Sequence, residues 1–128
     1  MKTTATAAAK TAFLASMLKA GEEYAGAIIN PDGTGHHIIL LDGDNNDAYW
    51  DTQMEWAKSI GGDLPDRVEQ SMLFAHLKDR FKETLYWSNT QNAAYADYAW
   101  FQTFLYGGQG DNYKYGSLRA RAVRRVAI

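Results

Sequence analysis

Tyrosine and side-chain amides crowd the last third of the chain. Between Tyr86 and Ser117 sit six of the eight Tyr, interleaved with Asn89, Gln91, Asn92, Gln102, Gln109 and Asn112. Lys114 is the only base there, and Asp97 and Asp111 are the only acids. Tyr offers large, rigid contact area at low entropic cost, and Asn and Ser adapt their hydrogen bonds, which is why antibody loops use this set. Tyr95, Tyr98, Tyr106, Tyr113 and Tyr115 lie in stretches too rich in Gly and Asn for all of them to be core. The expected ligand contacts are Asn89, Gln91, Asn92, Tyr95, Asp97, Tyr98, Gln102, Tyr106, Asp111, Asn112, Tyr113 and Tyr115. They would hold a protein or a glycan by stacking and hydrogen bonding rather than by charge. The competing reading is a surface that is merely aromatic.

Other chemistries fare worse against the residue inventory. Cysteine is absent, which excludes disulfides, zinc–thiolate sites, iron–sulfur clusters and thiol catalysis. The three histidines are His36, His37 and His76, and the first two point to opposite faces of any strand. Asp63, Asp66 and Glu69 cluster, but helix capping accounts for the last two. Gly107-Gly108-Gln109-Gly110 reads as a turn and not as a phosphate loop. Asp42, Asp44 and Asn46 take the first alternating positions of a calcium loop; Asp47 then replaces its Gly and Gln53 its bidentate Glu. No catalytic residue and no cofactor is expected, and calcium is the one metal that the acidic loop raises.

These residues need a scaffold. At 128 residues, with 46% apolar content, the chain supports one core. No uncharged apolar run reaches the roughly 18 residues of a membrane span. A net charge of −2 gives no global attraction to nucleic acid. Residues 1–20 read as an arm ending in a short helix, with Phe13/Met17 and Leu14/Leu18 as i,i+4 pairs. Lys10 and Leu18 spoil a cleaved leader. Residues 21–128 form the domain. Segments 24–30 and 36–41 read as a hairpin around Pro31-Asp32-Gly33-Thr34-Gly35, the second strand apolar enough to be buried on both faces. Two helices follow. Thr52/Glu55 and Asp66/Glu69 are their capping boxes, and Gly61-Gly62 ends the first. Trp50, Met54 and Ala57 share a face of the first; Val68, Met72 and Ala75 form an apolar row on the second, with Leu73 and Leu77 the next. Segments 85–90, 99–106 and 118–126 read as strands. The plan is α+β: two helices packed on a mainly antiparallel sheet with long C-terminal loops.

The order of short motifs adds to this. Gly61-Gly62-Asp63-Leu64-Pro65 opens a helix; Tyr86-Trp87-Ser88 and Ala99-Trp100-Phe101-Gln102-Thr103-Phe104 follow; Arg119-Ala120-Arg121-Ala122-Val123-Arg124-Arg125-Val126 closes the chain. From Tyr24 to Val126 the chain resembles a bacterial and phage family of C-type-lectin-like domains of unknown function. That family is related to the sulfatase-modifying-factor fold and to the variable proteins of diversity-generating retroelements. The resemblance implies a C-type-lectin-like fold, with Trp87, Trp100 and Phe104 as core or platform aromatics. It also implies terminal arginines that pair with carboxylates or cap loop carbonyls. The cysteine-dependent activity of sulfatase-modifying factors is excluded here. In retroelement-diversified members, variation falls in the C-terminal part, at positions often encoding Asn, Tyr, Ser and Asp.

The function expected is a non-enzymatic, phage- or prophage-encoded recognition domain that binds a protein or glycan ligand. The alternative is a virion structural or accessory protein that oligomerises through the N-terminal helix and the Tyr face. The expected location is the cytoplasm or a virion, with no membrane insertion and no nucleic acid partner.

Overall fold

A computed structural model describes residues 2–128; within the first ten, side chains are described for Ala7, Ala8 and Ala9. Helix α1 (Lys2–Met17) leads to strand β1 (Glu23–Ile29), which turns through Asn30 to Thr34 into β2 (Gly35–Leu40). The turn is held by Asp32, whose carboxylate accepts from the Thr34 amide at 3.0 Å and from its hydroxyl at 2.6 Å. The final strand, β8 (Val123–Ala127), pairs antiparallel with the far side of β2, giving a three-stranded sheet of order β1-β2-β8. Ile38, Ile39 and Leu40 are fully buried on both faces of that central strand.

Between these strands the chain builds a second sheet and two more helices. The strands are β3 (Asn45–Ala48), β4 (Leu85–Gln91), β5 (Tyr98–Thr103), β6 (Gln109–Tyr113) and β7 (Leu118–Ala120). Their order is β3-β7-β4-β5-β6, antiparallel except where Tyr86 of β4 meets Arg119 of β7. Helix α2 is Trp50–Ser59; helix α3 is Arg67–Leu77 and continues into a one-turn 3-10 helix, Lys78–Arg80. The fold is mixed α+β and mainly antiparallel. Tyr86 and Trp87 are neighbours on β4 and point to opposite faces. Tyr86 joins Leu73, Phe81 and Phe104 in one core cluster, and Trp87 joins Ala57, Leu64 and Ala99 in the other. Strand β4 is therefore buried on both faces of the larger sheet.

Three buried glutamines brace the helices to this sheet. Gln53 donates to the carbonyls of Asn46 and Leu118, Gln70 to that of Tyr86, and Gln102 to that of Gln70. A buried amide without such partners would cost several kcal/mol, so these bonds specify where each helix sits.

Several elements differ from expectation for identifiable reasons. The N-terminal helix extends from Lys2 to Met17 and is longer than the short helix expected at the end of an arm. Helix α2 begins at Trp50 with no side-chain cap. Its Thr52/Glu55 box is not used; the Trp50 amide instead donates to the Lys114 carbonyl and its indole to that of Ser88. The Asp66/Glu69 box on α3 forms as expected, with both reciprocal bonds at 2.8 Å. The buried side of α3 is Glu69, Gln70 and Leu73, while Val68 is 62% exposed. Segment 99–106 stops at Thr103, because Gly107 (φ 81°) closes a turn onto the Thr103 carbonyl. Phe104 then enters the core instead of continuing the face of Trp100. Segment 118–126 splits at residues 121–122, where the chain leaves one sheet for the other. Strands β3 and β6 occupy stretches read as loop.

Candidate functional site

The register of β5 on β6 decides which side chains share a face. Tyr98 lies opposite Tyr113, Trp100 opposite Asp111, and Gln102 opposite Gln109. Cross-strand partners project to the same side, so these six form one row on a single face of the sheet. Its inner end is fastened to α3. Gln102 is fully buried, and Gln109 donates both to its side chain at 3.0 Å and to the Arg67 carbonyl at 2.7 Å. Midway, the Arg67 guanidinium lies 3.6 Å over the Trp100 ring, and its Nε donates to Gln109. This cation–π stack leaves Trp100 half-buried.

The outer end is open. The Tyr98 and Tyr113 rings lie 4.3 Å apart at 32°, and Tyr95 meets Tyr98 edge-on at 6.0 Å. Tyr95 is 65% exposed and Tyr113 54%. The loop carrying Tyr95 is organised by Asn92. Its side-chain oxygen accepts from the amides of Ala94 and Tyr95, and its nitrogen donates to Asp111 at 2.7 Å. A hydrogen bond to Tyr113 pushes the Tyr98 hydroxyl up to about 12, with burial and the charges of Asp111 and Asp97 adding to it.

Lys114 turns to the other face of the sheet. Its ammonium bonds to Gln91 at 2.6 Å and lies 4.6 Å from the Trp50 ring. Beside it, Tyr115 meets Tyr49 edge-on at 6.0 Å. Tyr49 escaped the sequence reading because it precedes α2, far along the chain from the other tyrosines. The expected contacts therefore divide. Asn92, Tyr95, Asp97, Tyr98, Asp111 and Tyr113 come together. Gln91 and Tyr115 lie on the reverse side. Gln102 is buried within the platform and is not available to a ligand. Asn89 bonds to Asp63 at 3.1 Å within an ion-pair network. Asn112 accepts from the Tyr113 amide and shapes the turn, and Tyr106 stands apart after β5.

The terminal arginines pair with carboxylates and cap carbonyls. Arg119 binds Asp44, Arg124 binds Glu22 and the Met17 carbonyl, and Arg125 binds Glu69 and Asp63. Arg121 donates to the carbonyls of Arg80 and Leu41. In the acidic loop, one oxygen of Asp44 accepts from Arg119 and the other from the Tyr86 hydroxyl, so a guanidinium and a phenol occupy the carboxylate that calcium would need. His36 contacts Glu69, His37 contacts Tyr24, and His76 contacts the Ala25 carbonyl. Among the described residues no three His, Asp or Glu converge as a metal site. A groove of about 520 Å³ under α1 is lined by Leu14, Leu18, Ala25 and Leu77. Its two acids, Glu22 and Glu23, are bound to Arg124 and Arg80. Compared with known proteins, the chain matches no family model and no curated sequence.

Proposed function

We propose that this chain is a non-enzymatic recognition domain of C-type-lectin-like fold, phage- or prophage-encoded, holding a protein or glycan against Tyr95, Tyr98 and Tyr113. The observation that carries this reading is the contrast along one row of side chains. Its inner half is locked by Gln102, Gln109 and Arg67, and its outer half presents exposed aromatic rings on that rigid base. A rigid aromatic surface loses little entropy on binding, and Tyr is a frequent interfacial anchor. Pairing of the first and last strands with β2, and the motif arginines binding carboxylates, both support the lectin-like reading.

The test captures partners from a bacterial lysate with wild type and with a folded Tyr95→Ala/Tyr98→Ala/Tyr113→Ala variant, then measures affinity for the purified partner and on a glycan array. A loss of about tenfold or more in the variant is expected for buried aromatic anchors. Unchanged affinity overturns the assignment of this face.

A further inference from the structure

The internal cations of this molecule have a habit. Arg67 lies on Trp100 at 3.6 Å, and Lys114 lies over Trp50 at 4.6 Å. Both flank the outer tyrosines, Arg67 one step inward on the same face and Lys114 on the reverse side. Neither reaches Tyr95, Tyr98 or Tyr113, and among the described residues no cation stacks on those rings. The acids beside the rings are likewise without counter-charges. Asp111 accepts from the neutral Asn92 amide, and among the described residues neither Asp97 nor Asp111 enters an ion pair.

By composition alone Lys114 would offset one of these acids. In three dimensions it does not, because it is bound to Gln91 across the sheet. Among the described residues Arg67 is the cation that stacks on this face; its Nε is engaged by Gln109, and it enters no ion pair. Ring faces carry negative quadrupoles, and two unpaired carboxylates beside them deepen the same potential. Tyr95 and Tyr98 meet at 64°, so their rings form two walls of an open corner.

We propose that this corner takes a cation: the lysine or arginine side chain of a partner protein, stacked on Tyr95, Tyr98 and Tyr113, with Asp97 and Asp111 as counter-charges. The proposal rests on the recognition reading above and names the chemistry of its partner. Charge complementarity singles out a basic protein surface over a neutral glycan. An arginine fits well, since its guanidinium stacks flat on a ring while its edge donates to a carboxylate, the arrangement Arg67 already adopts with Trp100 and Gln109.

The test titrates the isotope-labelled full chain with a short Gly/Arg peptide and with its citrulline counterpart, which keeps the shape and lacks the charge. The Arg peptide is expected to move the amides of residues 95–98 and 111–113, and the citrulline peptide is not. The Asp97→Asn/Asp111→Asn variant should bind about fivefold more weakly, and raising salt from about 50 to about 300 mM should weaken binding further. Asp97→Asn alone, at an exposed carboxylate with no hydrogen bond among the described residues, gives a smaller loss with the fold intact. Equal binding of both peptides, no binding of the Arg peptide, or a footprint elsewhere overturns the proposal. If the face instead holds a neutral glycan that is lost in the triple Tyr variant, the cation proposal falls and the recognition reading stands.

Discussion

Tyr86 shows how one hydroxyl ties distant segments together. It is almost wholly buried, donates to Asp44 at 2.5 Å and accepts from the Lys82 amide at 3.0 Å. Burial, and then the bond to Asp44, push its phenol up to about 12. Because the folded value lies above the ordinary value of 10, the phenol's contribution is complete below pH 10 and is lost as pH rises through about 12. Tyr86→Phe should cost about 2 kcal/mol, the scale of a buried bond to a charged group. It should also flatten the alkaline limb of a urea-unfolding series; an unchanged limb would place alkaline sensitivity elsewhere. Gly26 is a second single-residue constraint. At φ 139° it sits in a bulge of β1, and a Cβ there would lie 2.7 Å from the Met72 sulfur. Gly26→Ala should cost about 1–3 kcal/mol, chiefly from backbone strain, seen as a lowered urea midpoint.

At the scale of elements, the loop between β4 and β5 depends on Asn92 more than on any tyrosine. Three side-chain bonds from this residue close the loop and join it to Asp111 on β6. Asn92→Ala should cost about 1 kcal/mol of global stability, while hydrogen exchange at the Ala94 and Tyr95 amides accelerates much more than in the core. Equal protection in both proteins would show that the strands alone order the loop. Strands β3 and β6 also show why parts of the fold were not legible. Their sequences, Asn-Asn-Asp-Ala and Gln-Gly-Asp-Asn-Tyr, lack the β-branched residues that favour strands. They are edge strands, made extended by hydrogen bonds from β7 and β5. Strand β2 and the α3 capping box were legible because their signals are local: an apolar run and a four-residue motif. The row Val68/Met72/Ala75 misled because α3 buries Glu69 and Gln70 instead, and their partners are remote in sequence.

Across the whole molecule, one carboxylate ties helix α3 to the smaller sheet. Glu69 on α3 accepts from Arg125 on β8, from the Asp66 amide and from His36 on β2, with its side chain fully buried. Burial pushes this carboxyl up, but Arg125, the Asp66 amide and His36 outweigh burial and hold it below the ordinary value of 4.5. Its contribution is therefore complete above pH 4.5 and is lost as pH falls through the folded value. Glu69→Gln should cost about 3 kcal/mol at neutral pH, because Arg125 loses its buried partner, and should flatten the acid limb of stability. The candidate face was half legible. Composition pointed to Tyr95, Tyr98, Tyr113 and Asn92. It could not show that Gln102 is interior, that Lys114 crosses the sheet, or that Tyr49 joins Tyr115, because each depends on tertiary packing: strand register for the first two, the docking of α2 for the last.

Strand β2 has its two neighbours far apart in sequence, β1 just before it and β8 after the other described elements. During synthesis the ribosome delivers α2, α3 and the whole tyrosine face before it delivers Val123–Ala127. Until then Ile38 to Leu40 have one flank open, and Glu69 lacks the arginine that neutralises it. The domain cannot complete its smaller sheet segment by segment as it is made. A message cut short before Val123 therefore yields a chain with every tyrosine present but a sticky strand edge exposed, a species prone to degradation or aggregation.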